Sequence, residues 1–106
     1  MSVMRGVTII LGARDPPRLR DALLLAMPLA ALGRPSRLFF QEDAVGLLSG
    51  DVGLLSEAMA LGVEVHACQS GLAKAGLSAK DLPAGVETGG SIGLLAANGE
   101  DQIVLA

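Results

Sequence analysis

The chain's only cysteine and only histidine stand two residues apart, in the stretch VEVHACQSGLAKAG at 63–76. A cysteine attacks as its thiolate, and a free thiol with a pKa of about 8.5 is mostly protonated at neutral pH. Cys68 follows a β-branched run and precedes what reads as a helix start. Helix starts carry partial positive charge and unpaired N–H groups, which favour an anion. Backbone N–H groups of Gln69, Ser70 and Gly71 can be offered to the sulfur, and Lys74 adds positive charge one turn further on. His66, two positions before Cys68 in an extended strand, projects on the same face. It is a candidate proton acceptor or thiolate partner, as in cysteine–histidine pairs. The competing readings are structural: a cysteine packs as a small hydrophobe, and a strand histidine packs beneath a helix. One histidine and one cysteine fall short of a zinc ligand set, so no metal is expected.

Further groups merit weighing. Glu42 and Asp43 are adjacent carboxylates that could serve in hydrolysis, but such a pair in a loop reads as solvated surface. Gly89, Gly90 and Ser91 open a helical stretch and could seat an anion. They lack a Walker or dinucleotide fingerprint, so a simple helix-entry turn competes with that reading. Arg14 and Arg18 follow the first apolar run and either pair with an anionic ligand or cover the surface.

The elements that must position these residues alternate regularly. VTIIL (7–11) is a continuous apolar run, as a strand buried on both faces should be. Asp15 can cap the next helix and Pro16 suits its first turn. Leucines and alanines at helical spacing carry that helix to Gly33, with Pro28 expected to bend it or detach its last turn. SRLFF (36–40) reads as the second strand. QEDAVGLLSGDVG is a polar-then-glycine connection with room for a short helical turn. LLSEAMALG (54–62) is a helix and VEVHA (63–67) the third strand. SGLAKAG (70–76) is a short helix with Ser70 as a candidate cap. SAKDLPAG is a capped turn and VET (86–88) a brief fourth strand. GGSIGLLAANG is a glycine-started helix, and QIVLA (102–106) a terminal strand. This alternation implies βαβ crossovers. The expected fold is α/β: a single domain over residues 1–106, three-layered α/β/α, with a mostly parallel five-stranded sheet. In such sheets ligands collect beyond the carboxyl ends of the strands, the edge at which Cys68 is expected.

Composition bounds the partners. Hydrophobic residues make up 51% of the 106 residues and charged ones 18%. The longest uncharged apolar run, ALLLAMPLAALG at 22–33, is shorter than the roughly 20 residues a spanning helix needs. The apolar part of MRGVTIILGARD is too short for a secretory signal and reads as a buried strand. No membrane association is expected, and the surplus apolar surface points to a homo-oligomer. Eight basic against eleven acidic residues, no Trp, no Tyr and two Phe offer neither basic patch nor stacking platform, so nucleic acid is not an expected partner. A single cysteine has no partner for an internal disulfide, which fits a reducing cytoplasm.

The chain resembles the DsrE/DsrF-like family of small sulfur-handling proteins, which includes the sulfur-relay Tus subunits. The likeness runs through ARDPPRLRDALLLAMPLAALG, SRLFFQEDAV, GVEVHACQSGLAKAGL and LPAGVETGGSIGLLA. It lies in the order and spacing of these stretches. The resemblance implies a five-stranded parallel domain assembled as a trimer or hexamer. For members with a cysteine after the third strand, the position Cys68 matches, it implies a persulfide carrier. No cofactor is implied. The partners would be sulfur donor and acceptor proteins or low-molecular-weight thiols. Two alternatives stay open: a non-catalytic oligomeric module binding a small anion or a protein, and a thiol redox sensor.

Overall fold

A computed structural model describes residues 5–50 and 53–106. Met1 to Met4, at the start of the amino-terminal stretch, and Asp51 and Val52, in the glycine-containing connection, lie outside the described residues. The strands are β1 (Val7–Leu11), β2 (Ser36–Phe40), β3 (Glu64–Cys68), β4 (Glu87–Gly89) and β5 (Gln102–Leu105). They form one sheet in the order β4-β3-β2-β1-β5, with every neighbouring pair parallel. The helices are α1 (Pro16–Ala31), α2 (Gly53–Ala60), α3 (Gln69–Ala75) and α4 (Ser91–Ala97), with a 3-10 segment at Glu42–Ser49 and a 3-10 turn at Ala79–Asp81.

The chain steps in one direction from β1 to β4, so right-handed crossovers set α1, α2 and α3 on one face. The return from β4 over three strands to β5 sets α4 on the other, where it lies against Phe39 and His66. The result is the expected three-layer α/β/α domain.

Strand alternation explains what each face buries. On the α1–α3 face, Ile9 sits beside Leu38 and Leu38 beside Val65, while Leu11, Phe40 and Ala67 form the next row. These residues join one core with Leu19, Ala22, Leu23 and Ala26 of α1, Leu55 and Ala58 of α2, and Leu72 of α3. Fully burying each Leu, Ile or Phe contributes about 1.5–3 kcal/mol. The buried positions of α1 follow the spacing 19, 22, 23, 26, which is one helical stripe. Pro28 cannot donate to the carbonyl four residues back, yet α1 runs without a break to Ala31. It ends in a Schellman turn: Gly33 at φ 85° donates to Ala30, and Arg34 donates to Leu29.

The second face is polar at the amino ends of the strands. Arg37 pairs with Asp101 at 2.7 Å and also with Glu64, and the buried Thr8 hydroxyl donates to Asp101 at 2.7 Å. This network ties the residue that precedes β5 to β1, β2 and β3. Toward the carboxyl ends that face turns apolar, with Ile10 and Phe39 in one row.

The structure revises two local expectations. The connection after β2 is not a loop with a turn in it but an eight-residue 3-10 segment, and it buries Ala44, Val45, Gly46, Leu47 and Leu48. Cys68 is the last residue of β3 and itself occupies the N-cap of α3, so Ser70 is not the cap but lies inside the first turn.

Candidate functional site

Because every strand is parallel, the segments that leave them gather at one edge. Cys68 lies opposite Gly89 of β4, one step beyond the row Leu11, Phe40 and Ala67. The 3-10 segment and α3 meet there at very close range. A Cβ on Gly71 would fall 2.5 Å from Val45 Cγ2 and 2.8 Å from the Glu42 carbonyl oxygen, so only glycine fits. That approach brings backbone from both segments to one sulfur.

The thiol of Cys68 is half-buried and richly hydrogen-bonded. Its Sγ lies 3.0 Å from Ser70 Oγ. Burial alone would push its pKa up. The Ser70 hydroxyl, then the backbone N–H groups of Gly71, Glu42 and Ser70, outweigh that and hold the thiol below its ordinary range. Gln69, expected among these donors, does not contribute its N–H. Glu42 was not expected among them, and it reaches the sulfur through an unusual backbone. With φ at 51° it is the one non-glycine residue among those described that adopts a left-handed conformation. Such a conformation costs an ordinary residue about 1–2 kcal/mol and is typical of functional sites.

The Glu42 side chain completes the arrangement. Ser70 Oγ donates to Glu42 Oε1 at 3.2 Å, and Lys74 Nζ donates to Glu42 Oε2 at 3.4 Å and lies 3.6 Å from Asp43 Oδ1. While Ser70 donates to Glu42, the Cys68 S–H donates to the Ser70 oxygen. Once the thiol ionises, the same hydroxyl can turn to the sulfur. The Glu42 hydrogen bond, then the Asp43 charge, push the Lys74 pKa up. Its positive charge is therefore directed at the two carboxylates, and it reaches Cys68 only through Glu42 and Ser70.

The other candidate residues are distributed over both faces. His66 Nδ1 lies 3.7 Å from Glu87 Oε2, and the ring sits under α4 beside Phe39. Among the described residues no hydrogen bond joins it to Cys68. Gly89 and Gly90 line that same hollow on the α4 side, and Ser91 is the first residue of α4. Arg14 lies on the opposite side, in a cleft with Glu42, Asp43, Gly46, Gly71 and Lys74. Arg14 and the Gly89–Ser91 turn therefore do not share one site. Arg18 pairs with Asp15 at 3.4 Å. Gly46 was missed by sequence reasoning, although a glycine inside a helical pattern is a signal of close approach. Among the described residues no three His, Cys, Asp or Glu side chains converge on a point where a metal could sit, and no helix is long and apolar enough to cross a membrane.

No protein-family model and no curated protein matches the chain. Solved structures do. The ychN protein from E. coli superposes with a TM-score of 0.78 at 27% identity, covering 96% of this chain and 98% of that one. MTH1491 from Methanobacterium thermoautotrophicum, a protein of unknown function, gives a TM-score of 0.78 at 21% identity, over 96% and 99% of the two chains. BT1422 from Bacteroides thetaiotaomicron, a conserved protein of unknown function, gives 0.72 at 20% identity over 93% of each. At those identities the last two speak for the fold alone, and nearly the whole of each chain takes part in it.

Proposed function

We propose that this protein is a DsrE/DsrF-like sulfur carrier that holds sulfane sulfur as a persulfide on Cys68. The observation that carries this reading is the sulfur environment: the Ser70 hydroxyl lies 3.0 Å from a half-buried thiol at the junction where the Glu42 and Gly71 backbones pack together, and the thiol is held below its ordinary range. Such a shell favours the thiolate, the form that attacks sulfane sulfur. In the uptake step the Cys68 thiolate attacks the outer sulfur of a donor persulfide. The new Sγ–S bond forms as the donor's S–S bond breaks, and the electron pair leaves on the donor thiolate. One S–S bond replaces another, so no oxidant or reductant is consumed. Release to an acceptor thiol is the same exchange in reverse. The chain has one cysteine, so both donor and acceptor must be external: another protein or a small thiol. The same absence of cysteine pairs suits a reducing cytoplasm.

The carrier is proposed to work as a homo-oligomer, a trimer or hexamer. What supports this is an apolar surface on the α4 side of the sheet. Ile92 is 85% exposed and Leu105 79%, with Ile103 and Leu95 also open. Ile103 and Leu105 pair with Thr8 and Ile10 and so face the same side as α4. Large apolar side chains left open on one face of a sheet are what a subunit interface would cover.

Intact-mass spectrometry after exposure to polysulfide tests the carrier. An adduct of about +32 Da that disappears in Cys68→Ser is the expected result. No adduct on the wild-type chain, or equal uptake by Cys68→Ser, refutes it. An adduct of about +16 Da after peroxide without any sulfane uptake would favour the redox-sensor reading instead.

A further inference from the structure

At the carboxyl edge of the sheet lies a cleft of about 470 Å³, whose lining residue Glu42 is linked to the Cys68 sulfur through the Ser70 hydroxyl. Its walls are Gly12 to Arg14 after β1, the start of the 3-10 segment, and α3. Glu42 and Gly71 belong to that wall, and the backbones of the two pack together beside the Ser70 hydroxyl that contacts Sγ. The volume is that of a small-molecule site. Of the charged groups in the cleft, Glu42 and Asp43 are both engaged by Lys74. Arg14 is exposed to solvent on the cleft wall, and among the described residues it makes no hydrogen bond and no ion pair. Its arm is laid across Gly46, where a Cβ would come within 3.1 Å of Arg14 Cδ, Nε and Cζ. Gly46 thus makes room for a guanidinium whose five N–H donors have no acceptor among the described residues and stay open to solvent and to a ligand. A guanidinium fork matches a carboxylate with two parallel hydrogen bonds.

We infer that Arg14 is the carboxylate clamp of a small-molecule site, so that the partner of Cys68 is a low-molecular-weight persulfide or thiol bearing a carboxylate. This rests on the carrier reading above. The clamp holds the carboxylate while the Cys68 thiolate takes the outer sulfur of R–S–SH. The inner S–S bond breaks, and R–S⁻ departs with the pair and picks up the persulfide proton.

Alkylation tests the clamp without requiring sulfur transfer. Iodoacetate and iodoacetamide share a leaving group, and only the first carries a carboxylate. In wild-type protein the rate ratio of iodoacetate to iodoacetamide at Cys68 should exceed that of free glutathione at the same pH. Arg14→Gln should lower that ratio about tenfold, the scale of one lost charge-assisted pair, and Arg14→Lys should restore part of it. A fall in the ratio supports the clamp whether or not Cys68 takes up sulfur. A ratio within twofold of wild type in Arg14→Gln overturns it even where the persulfide adduct forms. The substrate class is read separately. Arg14→Gln should slow sulfur uptake from glutathione persulfide about tenfold more than uptake from 2-mercaptoethanol persulfide, which has no carboxylate. Equal slowing of the two overturns the assignment.

Discussion

The Cys68 thiol is held below its ordinary pKa by groups that include two residues acting on it differently. Ser70 places a hydroxyl within hydrogen-bond reach of both the sulfur and the Glu42 carboxylate, while Glu42 supplies a backbone N–H from a left-handed residue. The alkylation rate of Cys68 by iodoacetamide should therefore rise with pH through a midpoint below the roughly 8.5 of a free cysteine. Ser70→Ala should move that midpoint up. The two roles of Glu42 separate by substitution. Glu42→Gly tolerates φ 51° and keeps the N–H, so its midpoint should stay at or below wild type. Glu42→Val resists that φ and should raise it. Equal shifts in the two variants would mean that the carboxylate, not the backbone, sets the thiol. The folded thiol ionises more readily than the unfolded one, so the unfolded state binds more protons between the two pKa values. The stabilisation is full above about 8.5 and is lost as pH falls through the folded value.

The helix α3 and the 3-10 segment meet at Gly71. Gly71→Ala must push Val45 and the Glu42 carbonyl away. Overpacking of this kind costs about 1–3 kcal/mol, and the displacement should loosen the Glu42 N–H from the sulfur. Urea unfolding and the alkylation midpoint should therefore change together: lower stability and a raised thiol pKa in one variant. Lost stability with an unmoved midpoint would show that the packing and the thiol are independent. By contrast, α1 contributes core rather than chemistry. Leu19, Ala22, Leu23 and Ala26 anchor it to the sheet, and the loop that precedes it delivers Arg14 to the cleft.

For the whole molecule, the crossover pattern gives the two faces of the sheet different chemistry. The α1–α3 side carries the main core and the cleft, while the α4 side carries His66, the Arg37–Asp101 network and the exposed Ile92, Leu95, Ile103 and Leu105. If that surface joins subunits, Ile92→Asp with Leu105→Asp should reduce the light-scattering mass to that of one subunit, with the thiol midpoint unmoved. A wild-type chain that is monomeric at micromolar concentration would count against the oligomer.

Much of this was legible in the chain itself, because local hydrogen bonding and burial write their periods into local residues. VTIIL and SRLFF became β1 and β2 at the expected residues, Pro16 opened α1 and Gly33 closed it, while Asp15 took the N-cap position without a side-chain cap bond and paired with Arg18 instead. The lone thiol came to the carboxyl edge of a parallel sheet, one residue earlier in the element than its neighbours suggested. Sequence spacing did not reveal which groups the thiol meets. Glu42 lies 26 positions before Cys68, and neither its left-handed φ nor its N–H has a local signature. Likewise Arg14 and the Gly89–Ser91 turn both follow strand ends, but they separated to opposite sides once the last crossover reversed direction. Periodicity is a property of neighbours along the chain. The approach of α3 to the 3-10 segment, and the face on which each helix lies, are decided by packing and by the handedness of the connections, and these exist only in the folded molecule.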